Sequence, residues 1–134
     1  MGKEKMARRF LVVGVVVLFS GCSHFGPIRG SSKGLTGRWK LKDSFQGSQI
    51  LTFKKDNTYT LDLDGDGTPE TLGEYHLYSW NEIMLKDLRG QIPADCKEMG
   101  IYRYTLAAGE VHFQPTADQC SSRRQAFSLI WRKI

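Results

Sequence analysis

Three observations in this 134-residue chain predict an all-β fold, a small eight-stranded up-and-down antiparallel barrel. From Gly37 to the C-terminus, apolar and polar residues alternate in short runs. That is the period at which a strand shows one face to a core and the other to water. Turn-forming pairs such as Asp56-Asn57, Asp64-Gly65 and Ala108-Gly109 separate the runs. No stretch of this region shows the i, i+3, i+4 apolar spacing of a helix. A meander of such strands leaves two exposed edges, and closing it into a barrel removes both.

The N-terminal segment comes first. Lys3, Lys5, Arg8 and Arg9 precede Phe10–Phe19, an apolar run of ten residues. The run is too short to span a bilayer and has the length of a signal-peptide core. It leads into Leu18-Phe19-Ser20-Gly21-Cys22, which resembles a bacterial lipobox. The resemblance implies cleavage after residue 21, diacylglycerol on Cys22, and a membrane-anchored protein of the bacterial cell envelope. Two or three acyl chains hold a protein stably where one does not. Ser23 rather than Asp after the cysteine implies the periplasmic face of the outer membrane. Residues 22–35, rich in Gly and Ser, read as a flexible tether, and 36–134 as the folded domain. Of the formal charge of +5, residues 1–21 hold four Lys/Arg and one Glu, or +3, so +2 remains after cleavage. A chain so nearly neutral gives no case for nucleic-acid binding.

The strands follow in order. Gly37 to Lys42 places Trp39 and Leu41 on one face; Gln49 to Lys54 adds Leu51 and Phe53. Thr58 to Leu63 points Tyr59, Leu61 and Leu63 inward and Thr60 and Asp62 outward. Leu72 to Tyr78 carries Tyr75 and Leu77, and Glu82 to Lys86 carries Ile83 and Leu85. After a long loop over 87–100, Ile101 to Leu106 offers Tyr102, Tyr104 and Leu106, and Val111 and Phe113 mark the seventh strand. A second loop, 115–124, leads to Ala126–Arg132 with Phe127, Leu129 and Trp131 inward. Large aromatic residues suffice to fill so small a barrel, so any pocket must open at one end, beneath the long loops.

Between the third and fourth strands lies Asp62-Leu63-Asp64-Gly65-Asp66-Gly67-Thr68-Pro69-Glu70. Alternate acidic residues followed by glycine open a calcium loop, with Asp62, Asp64, Asp66 and Glu70 as carboxylate ligands and the Thr68 carbonyl as a further oxygen. The helical EF-hand does not match, because its twelfth position is Gly73. The shorter form found in β-rich calcium repeats does. The competing reading is a polar hairpin turn, for which Asp-Gly is the strongest short signal.

With Cys22 lipidated, Cys96 and Cys120 are an even pair in an oxidising compartment, so a disulfide between the two long loops is expected. His76 and His112 alternate with apolar neighbours and face out. No acid, base and nucleophile converge, so the sequence reads as a binding protein and not as an enzyme.

Gly37-Arg38-Trp39 opening an eight-strand meander, Gly73-Glu74-Tyr75, Tyr102-Arg103-Tyr104, and Asp118-Gln119-Cys120-Ser121-Ser122-Arg123 before a strand ending Trp131-Arg132 together resemble bacterial lipocalin-like, calycin-type lipoprotein domains. The resemblance covers residues 35–134. It implies that an arginine from near the last strand packs over Trp39 and closes one end of the barrel, with Gly37 and Trp39 as its partners. Arg123 is the expected arginine and Arg132 its rival. It also implies a small apolar or amphipathic ligand. The alternative is an envelope interaction or inhibitor module with a packed, ligand-free barrel. An internal space below about 100 Å³ points to the alternative, and an end-opening apolar cavity of about 300 Å³ or more to a ligand.

Overall fold

A computed structural model describes residues 34–43 and 48–134. The expectations for residues 1–33, including lipidated Cys22, lie outside the described residues. The chain forms eight antiparallel strands: β1 (Gly37–Leu41), β2 (Ile50–Phe53), β3 (Thr58–Asp62), β4 (Thr71–Leu77), β5 (Glu82–Gly90), β6 (Gly100–Ala107), β7 (Glu110–Ala117) and β8 (Ile130–Lys133). Each pairs with the next, and β8 pairs back onto β1 with Leu41 opposite Trp131, so the barrel is closed. The fold is the one expected.

The period-two alternation decides which side chains fill the interior. Trp39, Leu51, Phe53, Tyr59, Tyr75 and Trp131 are all buried. Burial of each large apolar side chain contributes roughly 1.5–3 kcal/mol. Phe53 meets Tyr75 edge-on at 5.0 Å, the arrangement the ring quadrupoles favour.

Successive connections of an up-and-down barrel alternate between its two ends. One end carries the tight turns after β2, β4 and β6 together with the start and finish of the described barrel. There Leu35, expected as the last residue of the tether, is fully buried, and its carbonyl accepts the Trp39 indole N–H at 2.8 Å. The opposite end carries the long connections after β1, β3, β5 and β7. Both predicted loops are shorter than expected, because β5 runs on to Gly90 and β7 to Ala117.

The main departure lies after β7. Ala126–Arg132 is not one strand; Ser121–Phe127 forms a helix, α1, and the last strand begins only at Ile130. Phe127 is buried as expected, but it enters the core from the helix, and Leu129, expected inward, is 40% exposed. The two-turn helix is too short for its apolar period to show, and only Phe127 and Arg123 of it are buried. Strand ends account for two further differences. Leu63 and Leu106, both expected inward, are exposed, and Asp62, expected outward, is buried.

Candidate functional site

Four chain segments meet at the loop end. A 3₁₀ turn, Ala94–Cys96, follows β5, and its Cys96 is bonded to Cys120 with Cα atoms 4.4 Å apart, as expected from the pairing of the two cysteines. That separation is normal for a disulfide. The bond closes a loop of 24 residues, which restricts the unfolded chain by about 3 kcal/mol on the loop-entropy account. Cys120 is also the N-cap of α1: its sulfur accepts the Arg123 amide at 3.3 Å. The disulfide thus sets where α1 starts, and α1 sets what points into the barrel. Phe127 drops onto Tyr59, Tyr102 and Phe113, with ring centroids 5.3–5.7 Å away.

Arg123, one turn earlier on the same face of α1, is almost wholly buried. Its Nε and Nη2 donate to the two carboxylate oxygens of Asp118, both at 2.7 Å, and Nη2 also donates to the Glu98 carbonyl at 2.8 Å. A fork-on-fork pair of this kind is among the stronger hydrogen-bonded arrangements available to a guanidinium. The third nitrogen, Nη1, lies 3.3 Å from Asp87 Oδ2 on β5 but out of line for a hydrogen bond, and it is buried without another partner. Tyr102 donates its hydroxyl proton to Asp118, and Tyr59 donates to Asp87.

Five side chains therefore form one network: Tyr59, Asp87, Arg123, Asp118 and Tyr102. Burial pushes the Asp118 carboxyl upward, but the hydrogen bonds from Arg123, Tyr102 and the Cys120 amide outweigh it, so the group is held below the usual aspartate range. Burial alone would lower the Arg123 pKa, and Asp118 and Asp87 reverse that, so the guanidinium stays charged. Desolvation first, then the adjacent carboxylates, push both tyrosine hydroxyls above their ordinary value.

Glycine makes room for the network. Tyr59 crosses the backbone of Gly73, where a Cβ would sit 2.3 Å from the ring and 2.5 Å from the Lys86 carbonyl oxygen. The β4–β5 register shifts by one residue at this point, between Leu72 and Gly73.

Arg123 does not reach Trp39. The cation over the Trp39 ring is Lys133, 5.0 Å from its centroid, and its Nζ also donates to the Gly34 and Thr36 carbonyls at 3.0 Å. Gly37 has φ of 134°, and a Cβ there would press the Lys133 stem at 3.1 Å. The closing residues expected at Gly37 and Trp39 are thus together at the turn end, with lysine in place of the arginine. Helix α1 carries Arg123 to the opposite end, and Arg132, next to inward Trp131, faces out and pairs with Glu110 at 3.2 Å. Nothing in the linear order of the cationic residues showed which would reach the indole, since the choice depends on where β8 begins.

The acidic loop brings its carboxylates together: one oxygen each from Asp62, Asp64, Asp66 and Glu70 lies within 4.8 Å of the others. The loop also satisfies several of these oxygens itself. Asp62 accepts the Gly65 amide at 2.6 Å and the Gly67 amide at 2.9 Å, which explains its burial. Asp64 accepts from Asp66, Asp66 from Thr68, and Glu70 from Leu63. Thr68 takes part in the loop's own hydrogen bonds through its amide N–H. Asp64, Asp66 and Glu70 each keep one oxygen without a hydrogen-bond partner among the described residues, a donor set of the hard oxygen type that calcium takes.

Between this loop and α1 opens a cavity of about 500 Å³. Leu61, Leu63, Ile92, Pro93, Ala126 and Phe127 make its apolar wall, and Tyr59, Glu70, Asp87 and Arg123 supply polar groups. The network was not legible in the sequence. Asp87 and Asp118 stand 31 positions apart with no motif joining them, and the resemblance to calycin-type domains implies Arg123 over Trp39, at the other end of the barrel. No family model, curated protein or solved structure matches this chain.

Proposed function

We propose that the chain is a lipid-anchored binding protein of the bacterial cell envelope, holding a small apolar or amphipathic ligand in the cavity at the loop end of its barrel. The observation that carries the reading is the cavity itself: it is mostly apolar, it opens at one end, and its 500 Å³ falls within the range of small-molecule sites. The charged groups at its base are engaged with one another and with tyrosine hydroxyls, which supports holding a ligand over transforming one. The anchor reading rests on the segment ending in Cys22. The described chain enters the barrel at the turn end, opposite the cavity.

Native mass spectrometry of the protein purified from its own host tests this. A co-purified small molecule that is lost on filling the cavity with Ala126→Trp is the expected result. A ligand-free chain that carries a protein partner would move the assignment to the interaction module. One feature favours that second reading: Trp80, at the tip of the β4–β5 turn, is 75% exposed beside exposed Tyr78.

A further inference from the structure

Accepting the cavity as a ligand site, we propose that it selects a cationic amphiphile, a molecule with one ammonium group on an apolar chain, and that Asp87 and Glu70 hold the ammonium. The inference comes from the charges left over once the internal pairs are matched. Among the described residues three charged side chains line the cavity, Glu70, Asp87 and Arg123. Arg123 is spoken for by Asp118, which grips it with both oxygens from behind. Its remaining nitrogen, Nη1, is buried under Asp87 and offers no surface to an incoming anion. Among the described residues Asp87 accepts the Tyr59 hydroxyl and pairs at 3.3 Å with Arg123 Nη1, so the two aspartates together outweigh the one guanidinium by a single negative charge. Glu70 accepts the Leu63 amide on one oxygen and keeps the other.

The cavity therefore presents carboxylates that have unused acceptor capacity, beside a guanidinium whose remaining donor, Nη1, is out of reach. The rest of the acidic loop, Asp62, Asp64 and Asp66, adjoins the same opening and adds to the negative field. Arg124, the next basic residue, is exposed and donates to the Asp118 carbonyl at 2.8 Å. A ligand carboxylate would meet like charge at the cavity, and a neutral head would leave the carboxylates unpaired. An ammonium is attracted by both carboxylates. Its alkyl chain then lies along Leu61, Ile92 and Ala126.

Isothermal titration of the full chain with three water-soluble eight-carbon probes tests the assignment: octylammonium, octanoate and 1-octanol. The expected result is octylammonium at least tenfold tighter than octanoate, with octanol between them. The ratio should narrow several-fold in Glu70→Gln, whose amide oxygen still accepts the Leu63 N–H, and in Asp87→Asn, whose folding is checked by near-ultraviolet circular dichroism. Octanoate binding as well as octylammonium, or a ratio unchanged in both variants, overturns the cation assignment and leaves the ligand site standing. If none of the three probes binds, the ligand site falls with it.

Discussion

Asp118 shows how one residue couples the buried network to pH. Its carboxyl is held below the usual aspartate range in the fold, while the unfolded chain returns it to about 3.8. The native state thus binds fewer protons than the unfolded state in the acid range. The stabilisation is fully present above the unfolded value and is lost as pH falls through the lower folded one. The two tyrosines act in the opposite direction. Tyr59 and Tyr102 are raised above 10.0, so their contribution is complete below that value and is lost as pH rises above it. Urea-unfolding midpoints should accordingly fall at both extremes. Asp118→Asn should flatten the acid limb and Tyr102→Phe the alkaline one; unchanged limbs in these variants would show that other groups govern them. Gly73 carries the second residue-scale expectation. The Cβ of Gly73→Ala meets the Tyr59 ring and a backbone carbonyl, and the carbonyl cannot move cheaply, so a loss of about 1–3 kcal/mol is expected. A midpoint equal to the parent's would mean that the β4–β5 bulge relaxes freely.

At the scale of elements, α1 and the acidic loop contrast in how they could be read. The acidic loop was legible because its ligand-type residues are contiguous: spacing alone places Asp62, Asp64, Asp66 and Glu70 near one another, and the structure brings them together. Its two readings meet different measurements. A turn stabilised by its own amides gives no response to calcium beyond that to magnesium. For a calcium loop, whose extracellular examples bind with dissociation constants of about 10⁻⁴–10⁻³ M, saturation at ten times the constant adds about 1.4 kcal/mol. Calcium binding remains the proposal here, with the unpaired oxygens of Asp64, Asp66 and Glu70 in support, and calcium in the loop competes with an ammonium in the cavity for the Glu70 oxygen. Millimolar calcium is expected to raise the thermal midpoint by several degrees, and the double variant Asp64→Asn/Asp66→Asn to abolish the rise. Equal shifts with both cations, or none, would leave only the turn. Helix α1 was not legible. Alternation through Phe127, Leu129 and Trp131 mimicked a strand, and the cap that starts the helix is a disulfide sulfur contributed by Cys120.

The whole molecule is a closed barrel with two unlike ends. At the turn end Leu35, Trp39 and Lys133 seal the base; at the loop end a disulfide, a helix and an acidic loop surround a cavity. Residues 34–134 hold thirteen Lys/Arg and thirteen Asp/Glu, so the negative field at the cavity comes from placement and not from net charge. The membrane assignment belongs to this scale as well. Cys22→Ser should abolish incorporation of labelled palmitate; undiminished labelling in that variant would remove the anchor from the reading.

The sequence by itself determined the strand count, the inward face of nearly every strand and the cysteine pairing. Each depends on local period or on parity, and neither needs distances. Tertiary structure alone decided which cation covers Trp39, why Arg123 is buried, and that a cavity survives among so many aromatic side chains. Those outcomes turn on the point at which the chain leaves β7, coils through α1 and rejoins the barrel at Ile130. A shift of a few residues there moves a guanidinium from one end of the barrel to the other. No local pattern records that shift, because the groups that fix it, Asp87, Glu98 and Asp118, come from separate segments and meet only when the barrel closes.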